Sequence, residues 1–143
     1  MLRAVRVLHD EVFRRLCRAR DLIHDRCTEP LTLAQLARTA GISRYHFLHL
    51  FRDAFGSTPH QYLVGVRLER ARKLLAADAA SITDVCMDVG FSSLGSFSTL
   101  FARRVGVPPS GYRRRVYWGR ELPGGISRLY IPGCFLIGIG PGE

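Results

Sequence analysis

The chain has 143 residues, of which 47% are hydrophobic and 23% charged, the proportions of a globular protein rather than a disordered one. Its 21 Lys and Arg against 12 Asp and Glu give a net charge of +9 and a pI near 10.3, which points to a polyanionic partner. The longest apolar run, CFLIGIG, is too short to span a bilayer, and the charges spread through MLRAVRVLHDEVFRRL do not fit a secretory signal, so the expected location is the cytoplasm.

From Ala4 to about Cys27, apolar residues at Val5, Leu8, Val12, Leu16 and Ile23 form a helical stripe among arginines. TEPLT breaks it, and Thr32 with Gln35 makes a capping box that opens a short helix, Leu33 to about Ala40. Gly41 supplies the positive φ of a tight turn. Ser43 caps the next helix, whose inward face is Phe47, Leu50 and Phe51 and which ends near Gly56. Two short helices joined by a glycine turn make a helix-turn-helix.

Thr58, Pro59 and Gln61 start the longest helix, which runs to about Ala77 with Tyr62, Val66, Leu74 and Leu75 near one face. Ser81 and Asp84 then open a second short helix, Ile82 to Val89. Gly90 is its turn, and a helix from roughly Ser93 to Arg104 follows. A final short helix begins at Pro109. Beyond Arg115 the sequence is rich in glycine, proline and β-formers and reads as a non-helical extension, a short hairpin or an extended arm.

The chain repeats itself. Phe47, Phe51, Gly56, Pro59 and Tyr62 return 50 residues later as Phe97, Phe101, Gly106, Pro109 and Tyr112. Upstream the offset is 49, pairing Thr32, Leu36, Ala37 and Gly41 with Ser81, Val85, Cys86 and Gly90. Two copies are too few for a solenoid and describe a doubled module. The expected fold is therefore all-α: a DNA-binding domain over residues 1–115, with helix-turn-helix subdomains at about 31–56 and 81–106, a linker helix at about 58–77, and an extension of unknown role at 116–143. A helix-turn-helix places its second helix in the major groove, and readings on one duplex face repeat every ~34 Å. The 19 residues from Pro59 to Ala77 span roughly 28 Å as a helix, about the spacer that two adjacent readings need.

Leu31 to Arg115, about 85 of 143 residues, resembles the AraC/XylS family of bacterial transcription regulators. The resemblance is carried by LAQLARTAGISRYHFLHLFRDAFGSTPHQYL, RLERARKLL and ITDVCMDVGFSSLGSFSTLFARRVGVPPSGYR. It implies two helix-turn-helix subdomains on double-stranded promoter DNA, activation of transcription and contact with RNA polymerase. By position, the first recognition helix would present Ser43, Arg44, Tyr45, Leu48, His49 and Arg52, and the second Ser93, Leu94, Gly95, Ser96 and Thr99. Arg44 and Arg52 suit phosphates, whereas Tyr45, His49, Ser96 and Thr99 can bond base edges or phosphates and Leu48 can meet a thymine methyl.

The sequence departs from the family pattern in both recognition helices. His49 and Thr99 stand where many relatives place arginine, which alone offers a bidentate fork to guanine. Gly95 and Ser96 replace longer polar side chains. The first module is thus expected to carry most of the base reading, with the second holding the backbone through Arg103, Arg104 and Arg113 to Arg115. Members of the family commonly carry a separate effector or dimerisation domain. About 30 residues before the first module and 28 after Arg115 are too few for one, so the expectation is a stand-alone member, a monomer or weak dimer.

Rival readings are weaker. The pairs His46/His49 and His24/Cys27 have no further ligands at recognisable spacing. No nucleophile elbow, phosphate loop or carboxylate pair appears, so neither a metal, a cofactor nor an enzyme is expected. Cys17, Cys27, Cys86 and Cys134 show no zinc pattern. Cys86 stands in the place of Ala37 and reads as a buried inert thiol, with a thiol-responsive or ligand-responsive regulator, using the cysteines or the tail, as the alternative. RNA is disfavoured because its deep, narrow major groove does not admit a helix.

Overall fold

The computed structural model describes residues 2–77 and 80–121. They form seven helices: α1 (Leu2–Asp25), α2 (Leu33–Ala40), α3 (Arg44–Phe55), α4 (Pro59–Ala77), α5 (Ile82–Asp88), α6 (Leu94–Val105) and α7 (Pro109–Glu121). No strand occurs among the described residues. The all-α double helix-turn-helix is therefore the fold, and the chain divides into two compact units between Val66 and Arg67, inside α4.

The caps expected from the sequence are formed. At α2 the Gln35 backbone N–H donates to Thr32 Oγ1 (3.2 Å) while the Thr32 N–H donates to Gln35 Oε1 (2.8 Å). At α5 the same exchange joins Ser81 and Asp84, at 3.0 and 3.2 Å. Each box satisfies two amides that the first helical turn cannot. A third, between Thr58 and Gln61, opens α4 just ahead of Pro59. The turns follow the glycines: Gly41 has φ 65° and Gly90 φ 94°, a left-handed conformation that costs glycine nothing.

In unit 1, α1, α2 and α3 pack pairwise. Leu16, Ala19 and Ile23 of α1, Leu36, Ala37 and Ala40 of α2, Phe47 and Phe51 of α3 and Leu63 of α4 share one buried cluster. Burying a phenylalanine of this kind contributes about 1.5–3 kcal/mol. Phe51 lies among Phe47, Phe55 and Tyr62 at 5.4, 4.6 and 5.6 Å between ring centroids. Tyr62 is tied to α1 by a 2.9 Å hydrogen bond to His24 Nε2. Val5 and Leu8 of the expected stripe belong to residues 2–8, whose side chains lie outside the described set.

Unit 2 buries Leu68, Ala71, Leu75, Val85, Cys86, Val89, Phe97 and Phe101. Its aromatic stack runs Phe91, Phe97, Phe101, Tyr112. Comparing the two cores shows a third echo. Leu16, Ala19 and Ile23 of α1 correspond to Leu68, Ala71 and Leu75 of α4, at an offset of 52. A cation–π contact accompanies each: Arg20 lies 5.7 Å from the Phe55 ring centre and Arg67 5.9 Å from that of Phe91. The linker helix is thus two elements in one, because Leu63 closes the first core and the stretch from Leu68 to Leu75 opens the second. Leu74, expected on the inward face, is only half-buried. The residues that fill the second core are Leu68, Ala71 and Leu75.

α7 does not stop where the sequence changes character. It continues through Arg115 to Glu121, with Tyr112 and Val116 half-buried one turn apart. Arginine is a good helix former, and the half-buried pair supplies the inward side. The hairpin or arm expected for the extension falls on residues 122–143, outside the described set.

Candidate nucleic-acid interface

α3 and α6 are the second helices of the two helix-turn-helix units, and both have 12 residues. Each turns two fully buried phenylalanines inward, Phe47 and Phe51 or Phe97 and Phe101. With that face anchored, the opposite face is fixed by the helical period. On α3 it carries Tyr45, His46, His49 and Arg52, all exposed, with Arg44 exposed at the first turn. Tyr45 is 77% exposed, and its ring meets His49 edge-on at 4.6 Å. On α6 it carries Gly95, Ser96, Thr99 and Arg103, also exposed, while Leu94 and Arg104 are exposed at the two ends of the helix. No salt bridge engages Arg44, Arg52, Arg103 or Arg104 among the described residues, whereas Glu11, Asp21, Glu29 and Glu69 hold Arg15, Arg20, Arg26 and Arg72 elsewhere.

Ser43 and Ser93 act first as caps. Their hydroxyl oxygens accept from the backbone N–H of His46 (3.4 Å) and Ser96 (3.3 Å). A capping hydroxyl still has its own proton to donate, at a helix end where anions are favoured. Leu48 is less prominent than the exposed groups beside it. It is half-buried and lines an apolar cleft of about 320 Å³ with Leu31, Leu33, Leu36, Pro59 and Leu63.

Arg113 differs from the phosphate contact expected of it. Its side chain is turned inward, half-buried, and the guanidinium Nη2 donates to the carbonyl of Ala80 just before α5. Its place in the first module is taken by the buried Leu63, 50 positions earlier, which marks it as a packing position. Arg114 and Arg115 remain exposed. Ser98, the counterpart of Leu48 at the offset of 50, sits half-buried on α6 beside the exposed Thr99.

Cys27 and Cys86 are buried and Cys17 is partly so. Burial pushes the Cys86 thiol above its ordinary range, and its Sγ lies 4.0 Å from the Phe91 carbonyl. Among the described residues, no three His, Cys, Asp or Glu side chains gather as a metal-binding set. No described helix is long and apolar enough to cross a membrane.

A family model described as a helix-turn-helix domain matches residues 36–115, more than half of the chain. The chain belongs to the AraC-type helix-turn-helix family. It carries the DNA-binding domain type of transcriptional regulators. The RCS-specific HTH-type transcriptional activator RclR of Escherichia coli is 36% identical over 85 residues, covering 59% of this chain and 30% of that protein. An AraC-type transcriptional regulator of Chromobacterium violaceum superposes with a TM-score of 0.68 at 31% identity, over 72% of this chain and 92% of the other. The DNA-binding domain of AdpA, a global transcriptional factor solved with a target DNA, superposes at 0.69 and 30% identity, over 74% and 95%. The chain spans about a third of the length of the curated relatives it matches.

Proposed function

We propose that this AraC-type chain is a sequence-specific DNA-binding regulator that places α3 and α6 in adjacent major-groove segments of promoter DNA. The observation that carries the reading is the outward face of α3, where Tyr45, His49 and Arg52 stand exposed opposite a fully buried phenylalanine face, with Arg44 exposed at the first turn. A helix held from behind and bristling with donors in front is what groove reading requires. The net charge of +9 supplies the attraction to phosphate. The 19-residue α4 is a continuous spacer of about 28 Å, so one chain suffices for two readings. The target DNA bound by the AdpA domain supports double-stranded DNA as the partner.

Base selection by hydrogen bonds rests on the first module, because Tyr45 and His49 have the reach that Ser96 and Thr99 lack. Ser43, Ser93, Arg44, Arg52, Arg103 and Arg104 hold phosphates. Activation, with RNA polymerase as the second partner, is the regulatory sense proposed, in line with the activator RclR. Selection from a random duplex library tests the whole reading. The expected winner is an asymmetric site with two contact regions one helical turn apart and affinity that falls steeply with salt. Equal binding to every duplex would overturn it. A promoter fusion carrying the selected site then tests the sign of regulation: activation raises reporter output, and repression of it would reverse the assignment.

A further inference from the structure

The outward face of α6 is bare where that of α3 is elaborate. Matching positions at the offset of 50 sets Leu94 against Arg44, Gly95 against Tyr45, and Thr99 against His49. The most exposed aromatic of the first helix thus has no side chain at all opposite it in the second.

Gly95 is not there for the fold. Its backbone is not in the left-handed region, and a Cβ added to it would meet only Ser93 Oγ, at an ordinary 3.8 Å. Glycine is also among the poorest residues inside a helix. A glycine that the fold does not require leaves room for something outside the chain to come close to the backbone. Beside it, Leu94 projects from the first turn with 43% of its surface exposed. It is the longest exposed side chain among residues 93–99, and it has no hydrogen-bonding atom.

In the major groove the apolar feature of the base edges is the C5 methyl of thymine. We infer that the second module reads thymine by its methyl group, with Gly95 letting α6 lie close to the groove floor and Leu94 packing on the methyl. The inference rests on the reading that α6 enters a major groove. It gives the second module a base preference that needs no hydrogen bond: thymine over cytosine, and equally 5-methylcytosine over cytosine.

The test uses the full chain and a selected duplex in which each thymine is replaced in turn by uracil, which removes only the methyl. One or two positions in the second contact region should bind about fourfold more weakly as uracil, the effect of one apolar carbon leaving water. Leu94→Ala should bind the thymine and uracil duplexes alike. Gly95→Ala should melt at the same temperature as the parent or higher while binding DNA about tenfold more weakly, as an added methyl meets a packed surface. A two-region hydroxyl-radical footprint with no uracil-sensitive position, or with a penalty that persists in Leu94→Ala, would overturn the methyl reading alone. Unchanged affinity of Gly95→Ala would overturn the close approach. A footprint confined to one region would overturn the groove placement of α6 and the inference with it.

Discussion

The two modules share most of a scaffold and differ most in what they show to the outside. Phe47 and Phe97, Phe51 and Phe101, Pro59 and Pro109 are all buried, and Gly56 and Gly106 end their helices at φ 73° and 87°. Outward, Gly95 and Thr99 hold the repeat positions of Tyr45 and His49. Positions that hold the fold are interchangeable between copies because packing asks only for shape and apolarity. Positions that meet a partner are free to diverge, and divergence there is where two copies of one module acquire two jobs.

The inward similarity gives the largest expected effect. Phe51→Ala and Phe101→Ala should each cost about 3–5 kcal/mol, measured by urea denaturation. Phe51 should cost more, because it has three ring neighbours where Phe101 has Phe97 and Tyr112, and one aromatic pair adds about 0.5–1.5 kcal/mol. Equal costs would mean that the extra ring of Phe55 is matched by other packing in the second core.

The outward difference should appear in binding. Tyr45→Ala is expected to cost about 1–3 kcal/mol at its own base pair and to relax the selected sequence there. Arg52→Ala should weaken all duplexes alike and lower the salt slope by about one. If Tyr45→Ala behaved as Arg52→Ala does, Tyr45 would be a backbone contact and the division of labour between the modules would shift.

Two arginines sharpen the comparison further. Arg113, donating to the Ala80 carbonyl, should cost about 1.5 kcal/mol of stability as alanine with the salt slope unchanged. Arg103, exposed on α6, should do the reverse: stability within about 0.5 kcal/mol and a shallower slope. Parallel salt titrations and thermal melts of the two variants separate these outcomes.

Much of this was legible in the sequence, and for stated reasons. The glycine turns, the capping boxes and the phenylalanine pairs each leave a mark in residue type at fixed spacing. The double nature of α4 was harder to see, since Leu68, Ala71 and Leu75 echo α1 at an offset of 52 rather than 49 or 50 and the helix runs unbroken through Gly65, just before the change of core. Arg113 misled because an arginine in a run of three reads as solvated charge, while its counterpart Leu63 already showed the position to face inward. α7 outran its expected end because Gly119 and the aromatic residues around it hide a helix that has little apolar periodicity.

The smallest expected effect concerns Cys86, which fills the place of the buried Ala37. Burial raises its thiol above the ordinary cysteine range, and only the thiolate attacks an alkylating reagent. At pH 7 to 8 the native protein should therefore label at Cys17, which is partly accessible, well before Cys86. Labelling of Cys86 should quicken as pH rises toward its elevated value, and quicken sharply in denaturant, when the burial that raises it is gone. Mass spectrometry of peptides from native and unfolded samples gives both rates. A Cys86 that reacted in the native state as fast as Cys17 at pH 7 would show that the second core opens where the first, closed by α1 over Ala37, does not, and the equivalence of the two scaffolds would end there.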